Sequence, residues 1–268
     1  MNGGCFLEDS MSKLFRENLR AGFDKYVSAF DAADERISGK ICHTYQVAKN
    51  CIYIAEKLGL PEHDTDLAYA LGMLHDVGRF EQARRFRTFL DSVYDHAQMG
   101  ADYLFNENGL AEFLAGDTLP DEETELLELA IRQHNRHILP ENLDDRELLF
   151  CNLIRDADKV DIYRFTALQS FEVCHEYPAK IVSASSPTGK IIEYFNRRET
   201  VLFSERETPA DIYLSHVALC FGLVYDCSKQ LLDEQGYIWR MMDFRFDSPE
   251  VQSQFEKMKQ SVTGFFRG

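Results

Sequence analysis

The stretch Ala70-Leu-Gly-Met-Leu-His-Asp-Val-Gly-Arg-Phe80 decides how this chain is read. Leu71 and Leu74 end an apolar helical face, and that face runs directly into His75 and Asp76. An imidazole and a carboxylate buried side by side destabilise a core unless both are compensated. Successive residues project about 100° apart on a helix, so both can reach one partner most easily near a helix end.

The same helical period recurs along the chain. Phe15, Leu19, Phe23, Tyr26 and Phe30 line one face, and Val47, Cys51, Ile54 and Leu58 line another before Gly59 and Pro61 end it. Asp64 or Thr65 is expected to cap the helix carrying Leu67, Leu71 and Leu74, with Gly78 as its end. Residues 121–137 and 146–171 are again helical in period. Residues 176–210 lose it and gather Pro, Ser, Thr and Gly, which predicts a loop with a short hairpin or helix. From Asp211 a core helix follows, and residues 248–266 form a final amphipathic one. The expectation is an all-α fold over 1–268, a single helical domain. Its site-bearing core spans 38–165, and a C-terminal helical extension, 166–268, packs on that core.

Composition bounds the function. The 268 residues are 45% hydrophobic and 28% charged, with a net charge of −16. Such a field repels phosphate backbones, which argues against a nucleic acid polymer as partner. It leaves a small phosphorylated substrate open, because a metal or local cations can reverse the sign within a site. The seven scattered cysteines form no C-x-x-C pair and read as buried small residues of a reducing compartment. The longest apolar run, residues 216–225, is about half the ~20 residues a membrane span needs. The chain therefore reads as cytoplasmic, with no membrane partner. The aromatic tail around Phe221, Tyr225, Tyr237 and Trp239 is core or a surface for homo-oligomer formation.

Other inward-looking polar residues accompany the doublet. His43 begins the stripe of Val47 and Cys51, His96 shares a face with Gly100 and Tyr103, and His134 ends the face of Leu127 and Ile131. Asp156 and Asp158 both lie among apolar neighbours, and periodicity does not choose between them. Singly, each is an ordinary hydrogen-bonded core residue or cap. Together they leave many donors and charges uncompensated unless they converge on a divalent cation, which takes imidazole nitrogen and carboxylate oxygen as ligands.

Read in order, "KICHTYQVA" (40–48), "LGMLHDVGRF" (71–80) and "LIRDADKVDIY" (153–163) resemble the H…HD…D set of the HD-domain metal-dependent phosphohydrolase superfamily. The resemblance covers roughly residues 38–165. It implies an all-helical fold with His43, His75, Asp76 and Asp158 as the metal site, Asp158 being the family's usual ligand position. His96 in "DHAQMG" and His134 in "IRQHN" resemble the extra histidines of members that hold a second ion. The implied cofactor is one or two divalent ions, without distinction among Mn, Fe, Co, Ni, Zn and Mg. The implied chemistry is attack on a phosphate ester or anhydride by hydroxide on the cation, Asp76 being central to it. The substrate is expected to be small and nucleotide-like. Arg79 stands three residues after Asp76, where some relatives carry a glutamate, and is expected to contact phosphoryl oxygens, with Lys159 as a second substrate contact. Arg84, Arg85 and Arg87 read more simply as a solvated face with local ion pairs. Two other classes share the scaffold: a di-iron oxygenase, and a non-catalytic regulatory protein that binds metal or nucleotide. "SASSPTGK" (183–190) is not a phosphate loop, since the first glycine of that motif is missing and Ile191 follows Lys190.

Overall fold

The computed structural model describes residues 4–89, 91 and 94–267, with side chains described from residue 13. All regular elements among them are helical, as the 3.6-residue period requires. The chain forms two compact units, Met1–Asp158 and Lys159–Gly268.

The first unit holds α1 (Gly4–Val27), α2 (Glu35–Lys57), α3 (Glu62–Leu74), α4 (Val77–Phe86) and α5 (His96–Ala101). A π-helical turn (Asp102–Asn106), α6 (Leu110–Leu114), α7 (Asp121–Gln133) and α8 (Asp145–Leu168) follow. The boundary between the units falls inside α8, before the 165/166 division expected from the sequence. Leu19, Phe23, Leu71, Phe80, Phe113, Leu127 and Phe150 are buried in this unit. Removal of each such side chain from water contributes roughly 1.5–3 kcal/mol.

The second unit continues with α9 (Phe171–His175), α10 (Ala179–Ser183), α11 (Gly189–Arg197), α12 (Pro209–Val217), α13 (Asp226–Gln235), α14 (Tyr237–Met242) and α15 (Pro249–Arg267). Tyr163, Phe195, Leu214, Leu232 and Phe255 belong to its core. The Tyr163 hydroxyl donates to Val217 O at 2.9 Å and accepts from Cys220 N at 2.6 Å. No disulfide joins cysteines among the described residues. No helix among them is long and apolar enough to cross a membrane.

Two local expectations are corrected, and one that offered alternatives is decided. Helix α3 starts at Glu62, after Pro61, and neither Asp64 nor Thr65 caps it. The Thr65 hydroxyl instead donates back to Pro61 O at 3.1 Å, and Asp64 pairs with Arg146 at 2.7 Å. Of the two alternatives for the segment 176–210, hairpin or short helix, it takes the helical one, as α10 and α11 with a 3₁₀ turn. Its prolines and serines punctuate helices too brief for the period to show. Gly78 is not a helix end either. It lies inside α4, because α3 has already stopped at Leu74.

Gly78 serves a helix crossing. A Cβ there would lie 2.1 Å from His96 O and 2.6 Å from Gly100 N, so only glycine lets α4 and α5 meet. Gly72 does the same between α3 and α2, where a Cβ would approach Ala48 Cα to 2.5 Å. These two crossings carry His96 toward Asp76 and His43 toward His75. In Gly78→Ala the added methyl must push backbone apart, a strain of about 1–3 kcal/mol. The expected result is a melting temperature lowered by several degrees, measured calorimetrically, whereas Gly189→Ala should leave it nearly unchanged, since a Cβ there meets nothing within 4 Å.

Candidate metal centre

The site is assembled at helix ends. His75 is the C-cap of α3 and His134 the C-cap of α7. The last carbonyls of a helix lack intrahelical partners. In both helices the imidazole supplies one, with His75 Nδ1 at 2.8 Å from Gly72 O and His134 Nδ1 at 2.6 Å from Ile131 O. A carbonyl only accepts, so each Nδ1 carries the proton and donates. Each Nε2 is thereby left as a lone pair turned away from its own helix. His96, the first residue of α5, is locked likewise, its Nδ1 2.6 Å from Asp91 Oδ1.

Asp76 occupies the N-cap position of α4, with φ −106° and ψ 14°, yet its side chain makes no capping bond. An aspartate there ordinarily accepts from the first-turn amides. Here the carboxylate faces the cluster instead. Its Oδ2 lies 2.6 Å from Lys40 Nζ, 3.4 Å from His43 Nε2 and 3.5 Å from His75 Nε2. Its Oδ1 lies 3.2 Å from His96 Nε2 and 3.8 Å from His134 Nε2. Asp158, on α8, closes the other side, with Oδ1 3.0 Å from His43 Nε2 and 3.8 Å from His75 Nε2. Asn50 of α2 donates to Ala157 O at 3.1 Å, which fixes the α8 turn that presents Asp158.

Six of the sequence-predicted residues thus come together: His43, His75, Asp76, His96, His134 and Asp158. Two groups have ligand atoms within 4.8 Å of one another, His43–His75–Asp158 and His75–Asp76–His134, with His75 in both. Asp156 is buried but belongs to neither group. Arg79 reaches the site's edge, with Nε 3.7 Å from Asp76 Oδ1. Its guanidinium is engaged within the protein, since Nη1 donates to Gln82 Oε1, Phe89 O and Asp91 Oδ1 at 2.7–2.9 Å. The Lys159 stem lies 3.2 Å from where a Gly222 Cβ would stand. Arg84 and Arg85 both pair with Glu81.

The sequence did not single out Lys40, Asp91, Asp95 or Asn135. Lys40 precedes His43 by three residues, one helical turn, which is the signal that could have found it. The Asp95 carboxylate accepts from Ala97 N, which starts α5, and from Asn135 Nδ2 at 2.9 Å. The neighbours of His96 and His134 therefore hold each other.

Electrostatics and proton positions test whether these residues fit a cation. Burial holds the His75 imidazole down at about 3, so it is neutral at pH 7. Burial alone would raise Asp76, but the Lys40 ammonium and the surrounding imidazoles outweigh it and hold the carboxyl well below its usual range. Asp158 is also held low, burial being outweighed by the His43 hydrogen bond and charge. Two ionised carboxylates thus face one ammonium. His75 Nε2 is sealed from solvent and makes no hydrogen bond. His96 Nε2 and His134 Nε2 stand 2.9 Å apart while both Nδ1 atoms are engaged elsewhere, so the contact needs a proton or a cation between them. Such a contact is repulsive unless a positive centre lies beside it. The donor set fits a divalent metal ion.

A family model described as HD domain matches residues 41–163. Residues 41–163 are an HD domain. The span runs from just before His43 to just after Asp158, so the HD domain encloses all six residues of the cluster. The expected superfamily is borne out over that span. Comparison with curated proteins and with solved structures gave no match.

Manganese added at about 100 times its dissociation constant should stabilise the protein by about 2.7 kcal/mol, read as a rise in melting temperature that a chelator reverses. His75→Gln should lose that rise. Without metal, stability should fall with acid. The unfolded His75 takes a proton below 6.5 and the folded one only near 3. The unfolded state binds more protons between these values, so stability rises with pH across that window and is lost as pH drops through it. Denaturant titrations at pH 7 and pH 5 check the sign.

Proposed function

We propose that this protein is a divalent-metal-dependent phosphohydrolase acting on a phosphate ester or anhydride of a small, nucleotide-like molecule. The observation that carries the reading is the convergence of imidazole lone pairs and two ionised carboxylates beside one ammonium group. A bound divalent cation supplies a water acidified from 15.7 to about 7 and a positive charge for phosphoryl oxygens. Its holders would be His43, His75, Asp76, His134 and Asp158, with His96 completing a second position where two ions bind.

The chain's own groups do the rest. Lys40 sits on Asp76 Oδ2 at 2.6 Å and is the cation nearest the cluster by direct contact. A phosphoryl group at the centre would draw its ammonium, and charge neutralisation on those oxygens is where phosphoryl-transfer catalysis chiefly lies. Asp91 accepts from His96 Nδ1 and leaves His96 Nε2 able to hold a cation, or to take a proton from the attacking water and pass it to the leaving oxygen. Arg79 positions the site: it grips Phe89 O and Asp91, and through Asp91 orients His96. Lys159, beside Asp158, is kept as a candidate substrate contact. The expected setting is the cytoplasm, with a small phosphorylated compound as the partner.

A phosphate-release screen over nucleotides and phosphodiesters, run with metal analysis of the same sample, tests the reading. Asp76→Ala should lose both metal and turnover. Lys40→Met should keep its metal and fold yet lose roughly 10–100-fold in kcat/KM, the scale of one charged hydrogen bond. Iron-dependent dioxygen uptake with no phosphate release would instead favour the oxygenase. Metal retention with neither reaction would favour the regulatory reading.

A further inference from the structure

The segment Ser204-Glu-Arg-Glu-Thr208 leads into α12 and turns a cation away from its neighbouring carboxylates. Arg206 stands between two glutamates, yet neither takes it. Lys190 of α11 holds both, at 2.7 Å from Glu205 Oε2 and 3.4 Å from Glu207 Oε1. The backbone at Arg206 is extended, with φ −82° and ψ 110°, so its side chain leaves the chain on the side opposite to its neighbours. The buried Asp211 carboxylate is engaged as well, accepting from Thr188 N, Glu207 N and Thr208 N at 2.9–3.1 Å.

Arg206 Nε is sealed from solvent and makes no hydrogen bond, and the guanidinium makes no ion pair among the described residues. The Phe203 ring lies against it, 4.9 Å from Cζ to the centroid. That contact uses the face of the ring and accepts none of the guanidinium's five N–H donors as an oxygen would. Burial pushes the Arg206 guanidinium down to about 10. A desolvated charge left unmatched is costly.

Two imidazoles lie within reach of this charge. His175, buried at the end of α9, and His216 of α12 meet through Nδ1 atoms 2.9 Å apart, so one donates and the other accepts. Burial holds both imidazoles below their ordinary range, and the Arg206 charge adds to it, so both are neutral at pH 7. Neither belongs to a group of three metal-ligating side chains among the described residues, and the guanidinium repels a metal ion. The carboxylate whose charge reaches Arg206 is Glu176, which is exposed and makes no ion-pair contact with it. The cluster therefore carries an excess of positive charge and N–H donors.

We propose that Arg206, with His175 and His216 beside it, forms a second ligand site that takes a small oxyanion, a phosphate or carboxylate group. The fork of a guanidinium matches paired oxygens of either kind. None of the three residues belongs to the metal cluster, so the site does not rest on the hydrolase reading.

Inorganic phosphate and acetate are the probes, titrated into the full chain with a chelator present so that the metal cluster offers them no cation. Calorimetry should show saturable binding of at least one, weakened by salt, and the one that binds names the group. Imidazole ¹⁵N signals of His175 and His216 should shift along the same isotherm. Arg206→Gln should weaken binding roughly 10–100-fold, the scale of one charged hydrogen bond. Glu176→Gln, a surface change, should tighten it roughly two- to fivefold, the scale of a part-exposed charge pair. Saturable binding of neither probe, binding kept in a folded Arg206→Gln, or shifts confined to the histidines of the metal cluster overturns the proposal. Where Arg206→Gln does not fold, an unchanged affinity in Glu176→Gln overturns it.

Discussion

The Asp76 carboxylate is the group on which the rest depends. It stands at a helix N-terminus that would ordinarily recruit it as a cap, and it declines that role. Both oxygens face inward, against Lys40, His43 and His75 on one side and His96 and His134 on the other. A buried, ionised carboxylate is costly unless matched by positive charge. Lys40 offsets part of that cost, yet Asp158 adds a second negative group across the same histidines. A divalent cation in the place of the Lys40 ammonium balances the two carboxylates.

The fold maintains this arrangement by removing alternatives for each side chain. Gly72 and Gly78 allow backbones to approach so closely that α2, α3, α4 and α5 have little freedom to slide. The carbonyls of Gly72 and Ile131 fix two imidazoles, and Asp91 fixes a third. Asp95 ties the start of α5 to the end of α7 through Asn135. Tight packing transmits any displacement, so the geometry of the site and the stability of the first unit rest on the same contacts.

Much of this was legible in the sequence, for identifiable reasons. His43, His75, His134 and Asp158 sit within strong helical periods, and period locates an inward face. The all-α class followed from the same signal. Lys40 escaped notice because a lysine near a helix start reads as solvated, although its spacing to His43 placed it one turn away. Asp91 lies in a segment without period, so nothing local announced its bond to His96. Arg79 was visible as a cation beside Asp76, but its capture by Phe89 O depends on a loop path that no pattern encodes. Gly59 and Pro61 marked the end of α2, but two other edges were misread: Gly78 serves a crossing, and α3 starts at Glu62, ahead of Asp64 and Thr65.

The most direct measurement is anomalous diffraction from crystals soaked in manganese. The account predicts a peak within bonding distance of His75 Nε2 and an Asp76 oxygen, with the Lys40 ammonium displaced from that carboxylate. A map with no peak there, and Lys40 still seated on Asp76 at saturating manganese, would contradict it.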